Sequence, residues 1–410
     1  MECKSGTQAH RYERFSLVGI ACAGLILIGI AHSCFGQETP TAAPLLPTRV
    51  VEFKHERGTT KSLGEVLVQA ADGGILFLTP DGRLWTLQPS EIISSSDSTE
   101  PFKPMSGQEI FEQAKQELPD EFLVHKTAHY VIIYNTSETY ARWVGELFER
   151  LHRAFIIYWK GLGIRLQEPR FPLVAYVFDT KAAYLPFAKR ELGDSAESMI
   201  GYYHVQTNRV VTFDLTGIAG FNKTGSRPRT QQLINTILAQ PQAERTVATI
   251  VHEAVHQMAY NSGLQVRLAD NPIWVSEGLA MFFETPDVSN AKGWGTIGKL
   301  NFYNYQNFRR FLPQRPSDSL ITLLTTDDRL RNSQTAQSAY AESWALTYYL
   351  LKVNRKAFTA YIKDLSQQTP LGECLPRERL ELFQKHFGKD LEKFDQKFVD
   401  FILKAGKNGR

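Results

Sequence analysis

The sequence predicts an α+β fold in which a small all-β module comes first, a mixed sheet follows and a helical half comes last. Three observations predict it. Short apolar runs separated by turn residues crowd into residues 49–93, strand-like and helix-like patterns then alternate up to Asp214, and from Glu244 onward every periodic segment is helical.

The 410 residues are 43% hydrophobic and 22% charged, a stock of core-forming side chains that excludes a disordered or fibrous chain. The 46 Lys and Arg nearly balance the 43 Asp and Glu, leaving a formal charge of +3. Nucleic acid is therefore not an expected partner, because phosphate binding wants a concentrated basic face. The two basic clusters, Asn222 to Arg229 and Lys404 to Arg410, are expected to be a solvated loop and terminus.

Residues 1–36 have the pattern of a secretory signal peptide. Lys4, Arg11 and Arg14 precede the uncharged run Leu17 to Ala31, and small residues follow at Ser33 and Gly36. The run is short against the ~20 apolar residues of a bilayer span. An uncleaved membrane anchor and a lipid-modified Cys34 are the alternatives. Each places the rest of the chain outside the cytoplasm: secreted, periplasmic or anchored at a membrane. Cys3, Cys22 and Cys34 fall in or at the edge of this segment, so Cys374 alone would remain and no intrachain disulfide is expected.

The Pro/Ala/Thr-rich stretch 37–48 and the polar stretch 94–107 read as linkers. Between them, Val50 to Lys54, Gly64 to Gln69, Gly74 to Thr79 and Leu84 to Gln88 read as strands, with Pro80-Asp81-Gly82 as a turn. This barrel-like module, residues 49–93, carries no cluster of reactive side chains. Its expected role is to dock a protein or envelope partner.

The main domain spans residues 108–410. Strands are expected at His129 to Tyr134 and Phe171 to Asp179, and a hairpin at Gly201 to Asp214 turning at Thr207-Asn208. A helix from Glu138 to about Trp159 follows from the recurrence of Tyr140, Val144, Leu147, Leu151 and Phe155. Further helices are expected at Glu244 to Tyr260, Pro272 to Glu284, Ala339 to Val353 and Leu391 to Leu403. Asn271 reads as the cap of the second and Pro272 as its first residue.

The helix Glu244 to Tyr260 contains His252-Glu253-Ala254-Val255-His256, an H-E-x-x-H motif. Four residues turn a helix by ~400°, so both imidazoles share one face and can reach one metal ion. Glu253, offset by ~100°, can touch a water on that ion without ligating it. Val247, Ile250, Val251, Val255 and Met258 bury the helix, and two His and a Glu there without a partner would be costly. Glu277 arrives on the next helix after twenty intervening residues, enough for a loop and an antiparallel return. Its carboxylate is the natural third ligand of a zinc site. Glu284 lies seven positions later on the same face, either holding a ligand histidine through its other ring nitrogen or lying at the surface.

HEAVH followed at this distance by WVSEGLAMFFE resembles the gluzincin metallopeptidases, the group that contains thermolysin and the aminopeptidase N family. In the latter, the ligand glutamate sits in a W-L-N-E-G-F-A type segment, often with a second glutamate seven residues on. Tyr340-Ala341-Glu342-Ser343-Trp344-Ala345-Leu346 is similar to that family's Y-E-K-G-x-A-L stretch, whose tyrosine stabilises the oxyanion. Nothing between Phe171 and Val251 matches the G-x-M-E-N segment that binds a free amine, and the tryptophan and Gly-Asn after the second histidine are missing. The chain looks like a secreted member of the peptidase MA-like branch rather than an aminopeptidase.

The resemblance implies a zincin-like domain that hydrolyses peptide bonds of a peptide or protein substrate. It implies Zn²⁺ held by His252, His256 and Glu277, with Glu253 as general base. Tyr340 would donate to the oxyanion, with Tyr348 and Tyr349 as weaker candidates. The hairpin Gly201 to Asp214 fits the place where gluzincins pair an edge strand with an extended substrate, which favours cleavage within chains. His204 would then face the cleft, or else sit on the surface of a structural hairpin. Two other readings stay open: a zinc-loaded but inactive binding or scaffold protein, and a structural zinc site. The intact Glu253 speaks against the first, and the lack of a fourth ligand or nearby cysteine against the second.

Overall fold

The computed structural model describes residues 48–408 except 57, 219–220, 222–227, 229 and 286–293. The expected leader 1–36, its three cysteines, almost all of the linker 37–48 and most of the basic cluster Asn222 to Arg229 lie outside the described residues.

Five strands form the front module: β1 (Thr48–His55), β2 (Gly58–Gln69), β3 (Ile75–Leu78), β4 (Leu84–Leu87) and β5 (Ile92–Ser98). They pair antiparallel in the order β4-β3-β2-β1-β5. The last strand corrects the sequence reading, which takes residues 94–107 as linker. The run IISSSDS lacks apolar alternation because most of it faces solvent, and backbone pairing to β1 holds it instead. The described pairings do not join β4 to β5 into a closed barrel.

Alternation along β3 supplies both faces of this sheet. Ile75 and Phe77 pack with Val51, Phe53, Val66 and Leu87, whereas Leu76, Leu78 and Leu84 pack on Phe171 of the main domain. Polar contacts reinforce that junction. Arg170 makes two hydrogen bonds of 2.6 and 2.7 Å to Glu65, and the Leu84 amide donates to the carbonyl of Gln206 at 2.8 Å. Gly82, at φ 80°, closes the β3–β4 turn against the ring of Phe171.

The main domain begins with α1 (Gly107–Ala114), β6 (Leu123–Lys126), β7 (Tyr130–Tyr134), α2 (Glu138–Gly161), β8 (Leu173–Phe178), α3 (Lys181–Leu192), β9 (Gly201–His204) and β10 (Arg209–Phe213). Ser137 starts α2 by accepting the Tyr140 amide. The sheet order is β6-β7-β8-β10-β9, with β7, β8 and β10 parallel and both outer strands antiparallel. The hairpin turns at Asn208, whose φ of 60° suits asparagine. Its first strand, β9, is an edge of the sheet. The sequence reading missed β6, at four residues too short to show a period, and α3, which contains Pro186.

Ten helices complete the described chain: α4 (Gln231–Leu238), α5 (Pro241–Asn261), α6 (Ile273–Phe283), α7 (Phe302–Phe311), α8 (Ser319–Thr325), α9 (Asp328–Arg331), α10 (Ala336–Val353), α11 (Arg355–Leu365), α12 (Pro376–Phe387) and α13 (Leu391–Asn408). Lys404 to Asn408, expected in a solvated terminus, are the end of α13. Glu342 is buried on α10 and bonded to Ser319, Arg315 and Arg329, so it ties α10 to its neighbours. Cys374 is half-buried, and its backbone N–H donates to Asp270 at 2.9 Å. No described helix is long and apolar enough to cross a membrane. The architecture is thus mixed α+β, with a β module at the front and a helical C-terminal half.

Candidate metal centre

Helix α5 is embedded in the core through Val247, Ile250, Val251, Ala254, Val255 and Met258. Polar contacts fix its position along the sheet. The Gln257 amide donates to the carbonyls of Val174 on β8 and Asn208 at the hairpin turn, at 3.0 and 2.9 Å. Asn261 and Asn208 exchange side-chain hydrogen bonds of 2.7 and 2.8 Å. The helix is therefore registered against the hairpin by buried hydrogen bonds as well as by apolar packing.

On α5, the rings of His252 and His256 meet nearly edge to face, with centroids 4.7 Å apart and Nε2 atoms 3.1 Å apart. Glu277 of α6 joins them: its Oε2 lies 3.0 Å from His252 Nε2 and its Oε1 3.4 Å from His256 Nε2. All three side chains are buried. Glu277 reaches this position because α6 lies close to α10 at the next residue. A Cβ at Gly278 would strike the Thr347 hydroxyl and lie 2.8 Å from the Ser343 carbonyl oxygen.

The first N–H of α6 shows how the helix is started. Ile273 N donates to Asp327 at 3.0 Å, while the Asn271 amide turns back to the carbonyls of Val266 and Ala269. The expected Asn271 cap is replaced by a distant carboxylate, and the helix begins at Ile273 rather than Pro272.

Glu284 lies against the outer ring nitrogen of His252, one of the two placements its spacing allows. Its Oε2 lies 2.8 Å from His252 Nδ1, and its Oε1 accepts from Asn301 at 2.7 Å. Asn304 stands 3.4 Å from the same oxygen. Asn301 also caps α7 by accepting the Asn304 amide at 3.1 Å. With Glu284 ionised, the proton on His252 sits at Nδ1 and the Nε2 lone pair faces Glu277.

This arrangement fits a metal ion. The two Nε2 atoms and the two oxygens of the Glu277 carboxylate converge at 3.0 to 3.4 Å in a buried site. Tetrahedral zinc, with bonds of ~2.0–2.1 Å, sets its ligand atoms about 3.3 Å apart. Two nitrogens and a carboxylate oxygen suit zinc better than calcium or magnesium.

Glu253 is also buried, and its Oε2 accepts the backbone N–H of Tyr203 on β9 at 2.8 Å. Tyr203 stacks on Tyr260, and its hydroxyl donates to Asn208 at 2.8 Å. Arg267 donates to the Gly82 carbonyl of the β module at 2.8 Å and reaches the Val205 carbonyl at 3.4 Å. The hairpin beside Glu253 is thus clamped to the module. Sequence reasoning missed Tyr203, Asn301, Asn304 and Arg267, since none belongs to a motif or a period.

His204, expected in the cleft or at the surface, is buried, and its Nδ1 accepts the Thr207 amide at 3.2 Å within the turn. Burial is the main cause of its pKa falling below the ordinary histidine value. Tyr340 is buried one turn before Ser343 on the α10 face that meets α6. Tyr348 packs on Trp344, Phe282 and Phe401, and Tyr349 on Phe394, Phe398 and Phe401, which makes both aromatic packing residues.

A family model described as a protein of unknown function (DUF1570) matches residues 246–372. The match covers less than half of the chain, yet it includes His252, Glu253, His256, Glu277, Glu284 and Tyr340. No curated protein matches the chain.

Proposed function

We propose that this chain is a zincin-like zinc peptidase of the gluzincin kind, working outside the cytoplasm on peptide or protein substrates. The observation that carries the reading is the convergence of Glu277 from α6 on the Nε2 atoms of His252 and His256 from α5. These three residues would hold a zinc ion, which would supply Lewis acidity toward a carbonyl oxygen and toward water. Glu253 takes the proton of the attacking water and returns it to the leaving amine. Its bond from Tyr203 N–H orients that carboxylate. Tyr340 donates its hydroxyl hydrogen to the developing oxyanion.

The edge strand β9 supports an endopeptidase, because main-chain pairing to an extended substrate does not require a free terminus. Part of that edge is occupied: Glu253 takes the Tyr203 N–H, and Arg267 reaches the Val205 carbonyl. The extracytoplasmic placement rests on the pattern of residues 1–36. A second reading, a zinc-holding envelope protein without hydrolytic activity, is favoured by the full burial of Glu253.

Metal analysis together with turnover of two substrates tests both readings. Zinc with cleavage of a quenched peptide blocked at both ends supports the endopeptidase. Preferential release of dye from a free amino acid amide supports an aminopeptidase instead, and zinc without cleavage of either supports the scaffold. A protein that neither holds nor takes up zinc removes both readings.

A further inference from the structure

A second convergence of ligand atoms, sharing no residue with the first, lies where β7 begins. His129 immediately precedes β7, His152 lies on α2, and Glu168 lies in the loop from α2 to β8. One ligand atom from each falls within 4.8 Å of the others.

His129 is oriented by a carboxylate. Its Nδ1 lies 2.8 Å from Glu149 Oε2, while Glu149 Oε1 accepts the Thr127 hydroxyl at 2.6 Å and the His129 amide at 2.7 Å. With the ring proton drawn to Nδ1, the Nε2 lone pair is presented toward Glu168, whose Oε2 lies 3.6 Å away. That separation is too long for a hydrogen bond. It is close to the ~3.3 Å between two ligands of one tetrahedral zinc ion.

His152 supplies the independent observation. It is 5% exposed, and its Nε2 is buried with no hydrogen-bond partner among the described residues. A polar nitrogen so placed costs free energy unless something binds it. The ring lies against His129, with centroids 4.0 Å apart and planes at 29°.

The geometry points to a second site for a divalent cation of the zinc class, formed by His129, His152 and Glu168 and oriented by Glu149. Two imidazoles and one carboxylate select zinc or cobalt(II) over calcium or magnesium. The stacked rings would have to part for both lone pairs to meet one ion. The partly exposed His129 and the exposed Glu168 supply that movement while His152 stays in the core. The ion would clip the loop 162–172 to the sheet and α2. Through Gln167 N, which donates to the Ser262 carbonyl at 2.9 Å, that loop also holds the end of α5, and through Arg170 it holds the β module. The site is therefore stabilising rather than hydrolytic.

The test titrates the full chain with zinc and with cobalt(II), reading bound metal after gel filtration and the thermal midpoint. His129→Ala is expected to remove one equivalent of bound metal. Glu168→Ala, at an exposed position, is expected to weaken that equivalent at least tenfold. His129→Ala should abolish, and Glu168→Ala should reduce, the part of the metal-induced rise in Tm that remains when His256→Ala removes the α5 centre. The loss of one equivalent is read whether or not the α5 centre fills, so the two sites stand or fall separately. Unchanged stoichiometry and affinity in both His129→Ala and Glu168→Ala overturn the proposal, as does a His256→Ala chain that folds and takes up neither metal.

Discussion

Glu284 Oε2 lies 2.8 Å from His252 Nδ1, and Asn301 holds the other oxygen of the same carboxylate at 2.7 Å. A histidine of the α5 centre is thereby oriented through two residues outside it. Glu284→Ala should lower zinc affinity roughly 10–100-fold, the usual cost of losing such a partner. Asn301→Ala should lower it less, and should also destabilise the chain by about 1 kcal/mol through the lost α7 cap. Competition against a coloured chelator and urea unfolding measure the two effects separately.

Glu253→Gln separates metal holding from proton transfer. The glutamine oxygen can still accept the Tyr203 N–H, so fold and zinc content should be retained, whereas hydrolysis should be nearly lost because an amide cannot take the water's proton. Full turnover by this variant would remove Glu253 from its assigned role.

Gly278→Ala tests the close approach that places Glu277. The new Cβ would meet the Thr347 side chain and the Ser343 backbone carbonyl, and that carbonyl cannot move away cheaply. A loss of roughly 1–3 kcal/mol of stability is expected, the range for an overpacked core. Because α6 must shift, zinc affinity should fall as well. Chemical denaturation with and without metal checks both.

Tyr340→Phe removes one hydroxyl from the α10 face toward α6. Assigned as the oxyanion donor, it should lower kcat by about 10²-fold or more with zinc content unchanged. Steady-state kinetics on a blocked peptide decide this, and an unaltered kcat would return Tyr340 to plain packing.

Much of the centre was legible because helix geometry makes it local. His252 and His256 are one turn apart, so any helix through them puts their rings on one face, and Glu284 falls two turns from Glu277 by the same count. The strands β1 to β4, β7, β8 and the hairpin were legible where apolar side chains alternate or run together. β5 was not, because a solvated serine-rich strand held by backbone pairing leaves no pattern in its side chains.

The sequence by itself determined which side chains share a helix face, and hence the two imidazoles, the neighbouring Glu253 and the pairing of Glu277 with Glu284. Only the tertiary structure decided that α6 brings Glu277 within 3.4 Å of both rings, that Asp327 starts that helix, and that Tyr203 N–H holds Glu253. It also decided that His129, His152 and Glu168 meet at all. The reason is physical: a turn of helix relates residues three or four apart by fixed rotation. Contacts across tens of residues depend instead on how whole elements pack, through close approaches such as Gly278 against Ser343 and buried bonds such as Gln257 to Val174.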